Sequence, residues 1–305
     1  MLTSIRKYVD FNSINSSVKY LSISAFLTGV ALGYFFTVIV ITQKLNAYTE
    51  STIGIVAASF SLGLVSAGFF VSKILSKLGL YRMLLLSVSV QTVSVLAIFI
   101  FFNPINLAIC HLMMGIMGGM NWMTMDTWVN IVSNDKNRGK AIGLYNSSIS
   151  IGFAIGPLIV AFFGSQGLIP IILCLLLMII RIPALLIIKN HINNVKIPEQ
   201  INKINFSLVK VAPFIFIAIF IGGINDSSFG ALFPAYMINE QFTDRSIGFY
   251  FFVGAFGGVL TQPFVGALAD KINKRKFLFS LLICHIIWPL LLYNFILIPL
   301  IIILS

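Results

Sequence analysis

Long stretches without a charged side chain constrain this chain more than any other feature. Residues 20–43, 51–72, 83–125, 141–180, 246–269 and 277–305 hold no Asp, Glu, Lys or Arg, and 211–238 is interrupted only by Asp226. A helix needs about 20 apolar residues to cross a bilayer, and inside the bilayer every backbone polar group must be paired within the protein. Each run therefore reads as one or two membrane-spanning helices. Asn103-Pro104 divides 83–125 into two, and Gly164-Ser165-Gln166-Gly167 does the same for 141–180. A straight helix over 277–305 would be about 43 Å long, too long for a core of about 30 Å. That run is predicted to hold a ninth helix, a turn near Asn294 and the start of a tenth. The predicted fold class is all-α, a polytopic membrane protein.

Composition then excludes alternatives. With 58% hydrophobic and 10% charged residues, the chain departs from the roughly 45–50% and about 25% of soluble domains. Its net charge of +11 does not point to nucleic acid, because the basic residues sit in short clusters between apolar runs. If the helices alternate in direction, 17 of the 20 Lys and Arg fall on the N-terminal side. By the positive-inside rule the N-terminus is cytoplasmic. The first run is too long for a signal peptide and lacks a small-residue cleavage site, so it reads as a retained helix. Cys110, Cys174 and Cys284 lie in apolar runs without paired spacing and read as buried packing residues, with no disulfide or metal role. There is no His-Glu-x-x-His, no nucleophile with a base and no Walker-type loop. These absences argue against an enzyme and against ATP-driven transport, and they call for no cofactor.

The chain also repeats. Shifted by 194 residues without gaps, 23–82 falls on 217–276 with 12 of 60 positions identical. Gly29 meets Gly223, Phe35 meets Phe229, Gly54 meets Gly248, Gly63 meets Gly257 and Lys77 meets Lys271. Six helices separate the copies, so both keep the same membrane orientation, as in parallel-repeat transporters. The expected organisation is an N-terminal six-helix bundle over 1–189, a cytoplasmic linker over 190–210 and a partial C-terminal bundle over 211–305. Two repeats of 194 imply about 388 residues for a complete pair, roughly 83 more than the 305 present. The chain is expected to stop inside its tenth helix.

These residues resemble the major facilitator superfamily. Its loop between helices two and three, repeated between eight and nine, reads Gly-x-x-x-Asp-basic-x-Gly followed by basic residues. GALADKINKRK at 266–276 is similar, with Gly266, Asp270, Lys271 and Arg275 in place and Asn273 for the second glycine. SKILSKLGLYR at 72–82 keeps Lys77, Gly79 and Arg82 but has Ser72 and Ser76 for the glycine and aspartate. In HLMMGIMGG at 111–119, His111 stands where the family usually has arginine. NRGKAIGLY at 137–145 resembles the loop into the fifth helix, and Gly152-x-x-x-Gly156-Pro157 resembles that helix's glycine-proline element. The resemblance implies two bundles rocking about a central site. It implies gating roles for these loop residues, with Asp270 near Arg138 and Gly139 as a latch.

Asp226 is the sharpest candidate for chemistry. It lies near the middle of the seventh helix, within GGINDSSFG at 222–230, where a carboxylate is costly unless it faces a cavity or a partner. Asn225, Ser227 and Ser228 add polar groups. The alternative is a structural Asp bonded to neighbouring serines or another helix. Asp126 is predicted at the cytoplasmic end of the fourth helix, either as an interfacial Asp or as a gate contact to Lys136, Arg138 and Lys140. Trp122 and Trp128 would be interfacial anchors there. Arg181 is expected to snorkel to the headgroups. His111 and His285 read as packing residues, His111 with the better claim to a role. The pairs Gly29-x-x-x-Gly33 and Gly152-x-x-x-Gly156 allow close helix packing.

Three functions compete. The leading one is a secondary transporter moving a small solute, with protons as a candidate coupling ion and the lipid bilayer as its partner. The second is a truncated, non-transporting fragment needing a separate chain to supply the missing helices. The third, a membrane-embedded enzyme, is the weakest. The family and the lack of targeting signals point to a bacterial cytoplasmic membrane.

Overall fold

The computed structural model describes residues 15–133, 138–189, 213–273, 276–277, 279–284 and 287. Among these, all regular structure is helical, and the helices begin and end where the sequence supplies caps. Asn15 opens α1 (Ser16–Leu45), its side chain accepting from the Ser17 amide at 2.9 Å. Thr49 opens α2 (Glu50–Ile100), accepting from the Thr52 amide at 3.2 Å. Asn103 opens α3 (Pro104–Val132), accepting from the Asn106 amide at 3.0 Å. Pro104 sits in the first turn, where its missing N–H costs nothing. The fold continues through α4 (Arg138–Phe163), α5 (Leu168–Ile179), α6 (Arg181–Lys189), α7 (Pro213–Asn239) and α8 (Asp244–Lys271).

The two predicted breaks fall where expected, at 101–103 and at 164–167. Gly164 and Gly167 there take φ of 73° and 83°, conformations that strain any L side chain. The second and third spans merge into α2, bent at Gly79 with φ 77° and ψ 165°. The sixth span is two short helices, α5 and α6, meeting at Ile180. Turns 46–49, 101–103, 164–167 and 240–243 share one end of the molecule, called here the turn end. The linker expected at 190–210 and the tenth-helix start lie outside the described residues.

Glycines bring the helices together. A Cβ on Gly29 would overlap the Ile149 carbonyl, one on Gly33 the Phe153 carbonyl, one on Gly152 the Phe26 carbonyl and one on Gly156 the Tyr34 amide. The two glycine pairs thus face each other, joining α1 to α4 backbone to backbone. Gly63 and Gly115 join α2 to α3 in the same way. Gly248 of α8 lies against α4, where an added Cβ would stand 2.5 Å from the Pro157 carbonyl oxygen and 2.6 Å from the Ala161 amide.

Two apolar clusters fill the interior. One, toward the turn end, holds Tyr34, Phe35, Ile39, Ile53 and Met114 of the first bundle together with Phe233, Ala235, Met237 and Ile247 of α7 and α8. The other, at the opposite end, holds Leu21, Leu84, Met125, Trp128 and Tyr145, and its described residues all come from the first bundle. Among the described buried residues, the second bundle therefore joins the first at the turn end.

Three expectations are corrected by this packing. Trp128 is fully buried in the second cluster and is no interfacial anchor. Cys284 is exposed, unlike Cys110 and Cys174. Arg181 does not snorkel: it is 0% exposed and donates from Nη2 to Gln91 Oε1 at 2.8 Å.

Candidate functional site

Where the bundles do not touch, a cavity of about 2320 Å³ opens between α1–α4 on one side and α7–α8 on the other. Its shape follows from the packing. α7 is buried at Phe233, Ala235 and Met237 but exposed at Ile217, Phe220, Ile221 and Ile224. Gly222, Gly223 and Gly230 on that stretch meet no neighbour within 4 Å.

Asp226 lines this cavity, at residue fourteen of the 27 in α7. Its side chain is exposed to the cavity, with no partner recorded among the described residues. Ser227 and Gly223 line the cavity beside it. His111 lines the opposite wall. Its Nδ1 lies 2.8 Å from the Leu107 carbonyl oxygen, which can only accept, so Nδ1 carries the proton and Nε2 is left as an acceptor. Its ring centroid is 5.5 Å from that of Phe35. Asn225 is half-buried and is not part of the lining.

Asp126 is held apart, in a side pocket of about 320 Å³ between α3 and α4. The buried Tyr145 hydroxyl donates to its carboxylate. Tyr145 reaches it from the next helix. Trp122 and Asn146 line both this pocket and the main cavity. Of the four predicted residues, the fold thus brings Asp226 and His111 together, sets Asp126 in an adjoining pocket and leaves Asn225 out.

Among the residues predicted to gate, Gly79 makes the bend in α2, and Lys77 and Arg82 are exposed on either side of it. Arg138 begins α4. Arg275 lies outside the described residues, as do the side chains at Gly266, Asp270 and Lys271 in α8, and His285.

Two carboxylates at the turn end carry geometry that sequence reading missed. Asp244, in the first turn of α8, accepts from the Ser165 amide and the Ser165 hydroxyl, each at 2.7 Å. Glu50, in the first turn of α2, pairs with Lys44 and accepts from Asn239 Nδ2 at 3.1 Å. Glu50 lies just outside the 51–72 span. The Lys44 ammonium, its largest influence, holds its pKa well below the usual carboxylate range, at about 2. Each carboxylate ties one bundle to the other. A signal was available: Glu50 and Asp244 are equivalent in the 194-residue repeat, each following a capping threonine, Thr49 or Thr243.

The described residues hold no group of three or more His, Cys, Asp or Glu side chains fit for a metal ion. The sequence profile of the Major Facilitator Superfamily matches residues 21–305. This chain belongs to the major facilitator superfamily. Among its relatives, an uncharacterized MFS-type transporter of Bacillus subtilis (strain 168), YfkF, is 24% identical over 262 residues, 84% of this chain and 67% of that one. The fold is similar to that of the nucleoside transporter NupG, with a TM-score of 0.64 at 13% identity over 84% of this chain and 68% of that chain. It is also similar to a bacterial homologue of the human lysosomal transporter Spinster, with a TM-score of 0.62 at 16% identity over 85% and 64%. Membership makes this superfamily chain an integral membrane transporter of small solutes and not an enzyme. Its two parallel-repeat bundles are the superfamily's plan.

Proposed function

We infer that this protein is a secondary active transporter working by alternating access, with Asp226 as the residue that takes solute or a coupling proton. The observation that carries the reading is the cavity between the bundles. It is lined by an unpaired mid-helix carboxylate and sealed at the turn end by cross-bundle contacts from Asp244, Glu50 and Gly248. A carboxylate at that depth is expensive without a mobile partner, and a cation or proton arriving through the cavity supplies one. His111 Nε2 offers a second polar contact on the facing wall. The clustering of Lys and Arg supports a cytoplasmic N-terminus. On that reading the turn end is extracytoplasmic, and the state described is closed outward and open toward the cytoplasm of a bacterial inner membrane.

Rocking between states has to break the turn-end contacts and close the opposite end. Gly79, Lys77 and Arg82 at the α2 bend, Arg138 at the start of α4, and the Gly266, Asp270, Lys271 and Arg275 loop are the proposed contacts of that closure. The test is flux in vesicles carrying the full chain. Solute-dependent proton movement that disappears in Asp226→Asn supports the reading, and flux unchanged by the substitution removes Asp226 from the mechanism.

A second reading, that activity needs helices from a separate chain, has its own support. Gly29 and Gly63 are sealed against neighbouring backbone, while a Cβ on their repeat equivalents Gly223 and Gly257 would meet nothing within 4 Å among the described residues. It predicts flux only when a second chain supplying further helices is co-expressed.

A further inference from the structure

We propose that the solute is an organic cation with an apolar, aromatic body, held with its charge at Asp226 and its body among the cavity's rings. The proposal rests on the transport reading for its purpose but on the cavity alone for its chemistry.

The charge balance of the cavity comes first. Among the described residues, Asp226 and Arg245 are the only lining side chains with a formal charge. They are well separated. From Asp226, α7 runs on for 13 residues to Asn239, about 20 Å of helix, and Arg245 lies beyond that end, in the first turn of α8. The middle of the cavity therefore carries a net negative charge, with no described lysine or arginine to hold a phosphate or carboxylate there. An anionic solute would meet Asp226 without a counter-charge, and a cation neutralises it.

The walls decide the rest of the molecule. Phe36, Phe60 and Phe153 line the first bundle's side, and Phe229, Tyr250 and Phe251 line the other. The rings form groups on each wall: Phe36 and Phe60 meet edge to face with centroids 4.9 Å apart, and Phe229 lies 5.6 Å from Phe251. Phe229 is three residues along α7 from Asp226, so it stands on the same helix face one turn away. Ring faces attract a cation near their centroids, and the same rings give an apolar body somewhere to lie. A polyol or sugar fits less well, because its hydroxyls need fixed polar partners set close together, and the polar groups here are spread over both walls. Gln43, Ser61, His111, Asn146 and Ser227 sit on five different helices, α1 to α4 and α7.

The test is equilibrium dialysis of the full chain in detergent against two labelled probes of the same size and opposite charge, tetraphenylphosphonium and tetraphenylborate. Saturable binding of the phosphonium alone is expected, weakened about tenfold or more in Asp226→Asn and largely restored in Asp226→Glu. Phe229→Ala weakens it by several-fold. Equal binding of both probes by the unaltered protein overturns the proposal without recourse to any variant. So does an Asp226→Asn protein that binds the phosphonium as the unaltered protein does. Dialysis reads occupancy and not movement. A chain that binds the cation but drives no flux overturns the transport reading alone, whereas flux of a neutral or anionic solute without cation binding overturns this one alone.

Discussion

Asp244 receives both the amide and the hydroxyl of Ser165, each at 2.7 Å, and so fastens the start of α8 to the turn between α4 and α5. The two residues are 79 apart in sequence and belong to different bundles. Phe162 and Phe249, with ring centroids 6.0 Å apart, pack in the same seam. Two hydrogen bonds to one charged acceptor are worth about 1.5–3 kcal/mol when partly shielded. Asp244→Ala therefore shifts the population toward an open turn end by roughly tenfold or more. A cysteine introduced as Phe249→Cys, in a Cys284→Ser background, should react correspondingly faster with an impermeant thiol reagent applied from the turn-end side. An unchanged rate would show that the seam is held by packing alone.

Glu50 offers a pH test. Its pKa is lowered in the folded protein from the ordinary 4.5 to about 2, first by the hydrogen bond from Lys44. A depressed carboxylate pKa contributes stability that is fully present above about pH 4.5 and is lost as pH falls toward 2. The side chain is exposed, so solvent screening keeps the effect small. The melting temperature of Glu50→Gln should lie slightly below that of the unaltered protein at pH 6, and the two should converge by pH 2–3. A gap that persists at low pH would mean that the glutamate acts through something other than its charge.

Repeat-equivalent glycines should tolerate substitution very differently. Gly29 is pressed against the α4 backbone, and Gly223 faces the open cavity. Gly29→Leu forces apart two helices in backbone contact and should cost about 3 kcal/mol or more. Gly223→Leu should change stability by no more than about 0.5 kcal/mol. Thermal melts of the two variants in the same detergent measure the contrast.

Arg181 and Gln91 form a buried couple: the guanidinium is 0% exposed, its Nε has no partner, and Gln91 Oε1 is the oxygen recorded as accepting from it. Gln91 in turn donates to the Met114 carbonyl at 3.3 Å. Gln91→Leu leaves a buried cation without that acceptor and should destabilise by about 3–5 kcal/mol. Adding Arg181→Met should recover most of the loss, since an apolar pair of similar volume needs no partner. A double-mutant cycle on melting temperatures gives the coupling, and additive losses would show that the two side chains do not depend on each other.

The helices of this protein were legible because membrane insertion is a local condition. A run of about 20 apolar residues must form a helix wherever it lies, so spans and turns at Asn103-Pro104 and 164–167 could be read without knowing any neighbour. The loop motifs and the 194-residue repeat carried the family for the same reason, and Asp226 stood out by its depth in an apolar span. What Trp128 and Arg181 do depends instead on which face of a helix meets another, and the all-apolar surroundings of a span leave no periodic pattern to show it. That Asp126 shares a pocket with Tyr145 of the next helix was likewise not legible in the sequence. Glu50 and Asp244 drew no notice in the sequence, because their partners Asn239 and Ser165 belong to the opposite bundle. By itself the sequence determined the spans, the repeat and a charge at mid-depth. Only the tertiary structure decided which helices meet through Gly29 and Gly152, which end is sealed and what lines the cavity, because lateral contacts between apolar helices follow from shape, and shape is a property of pairs.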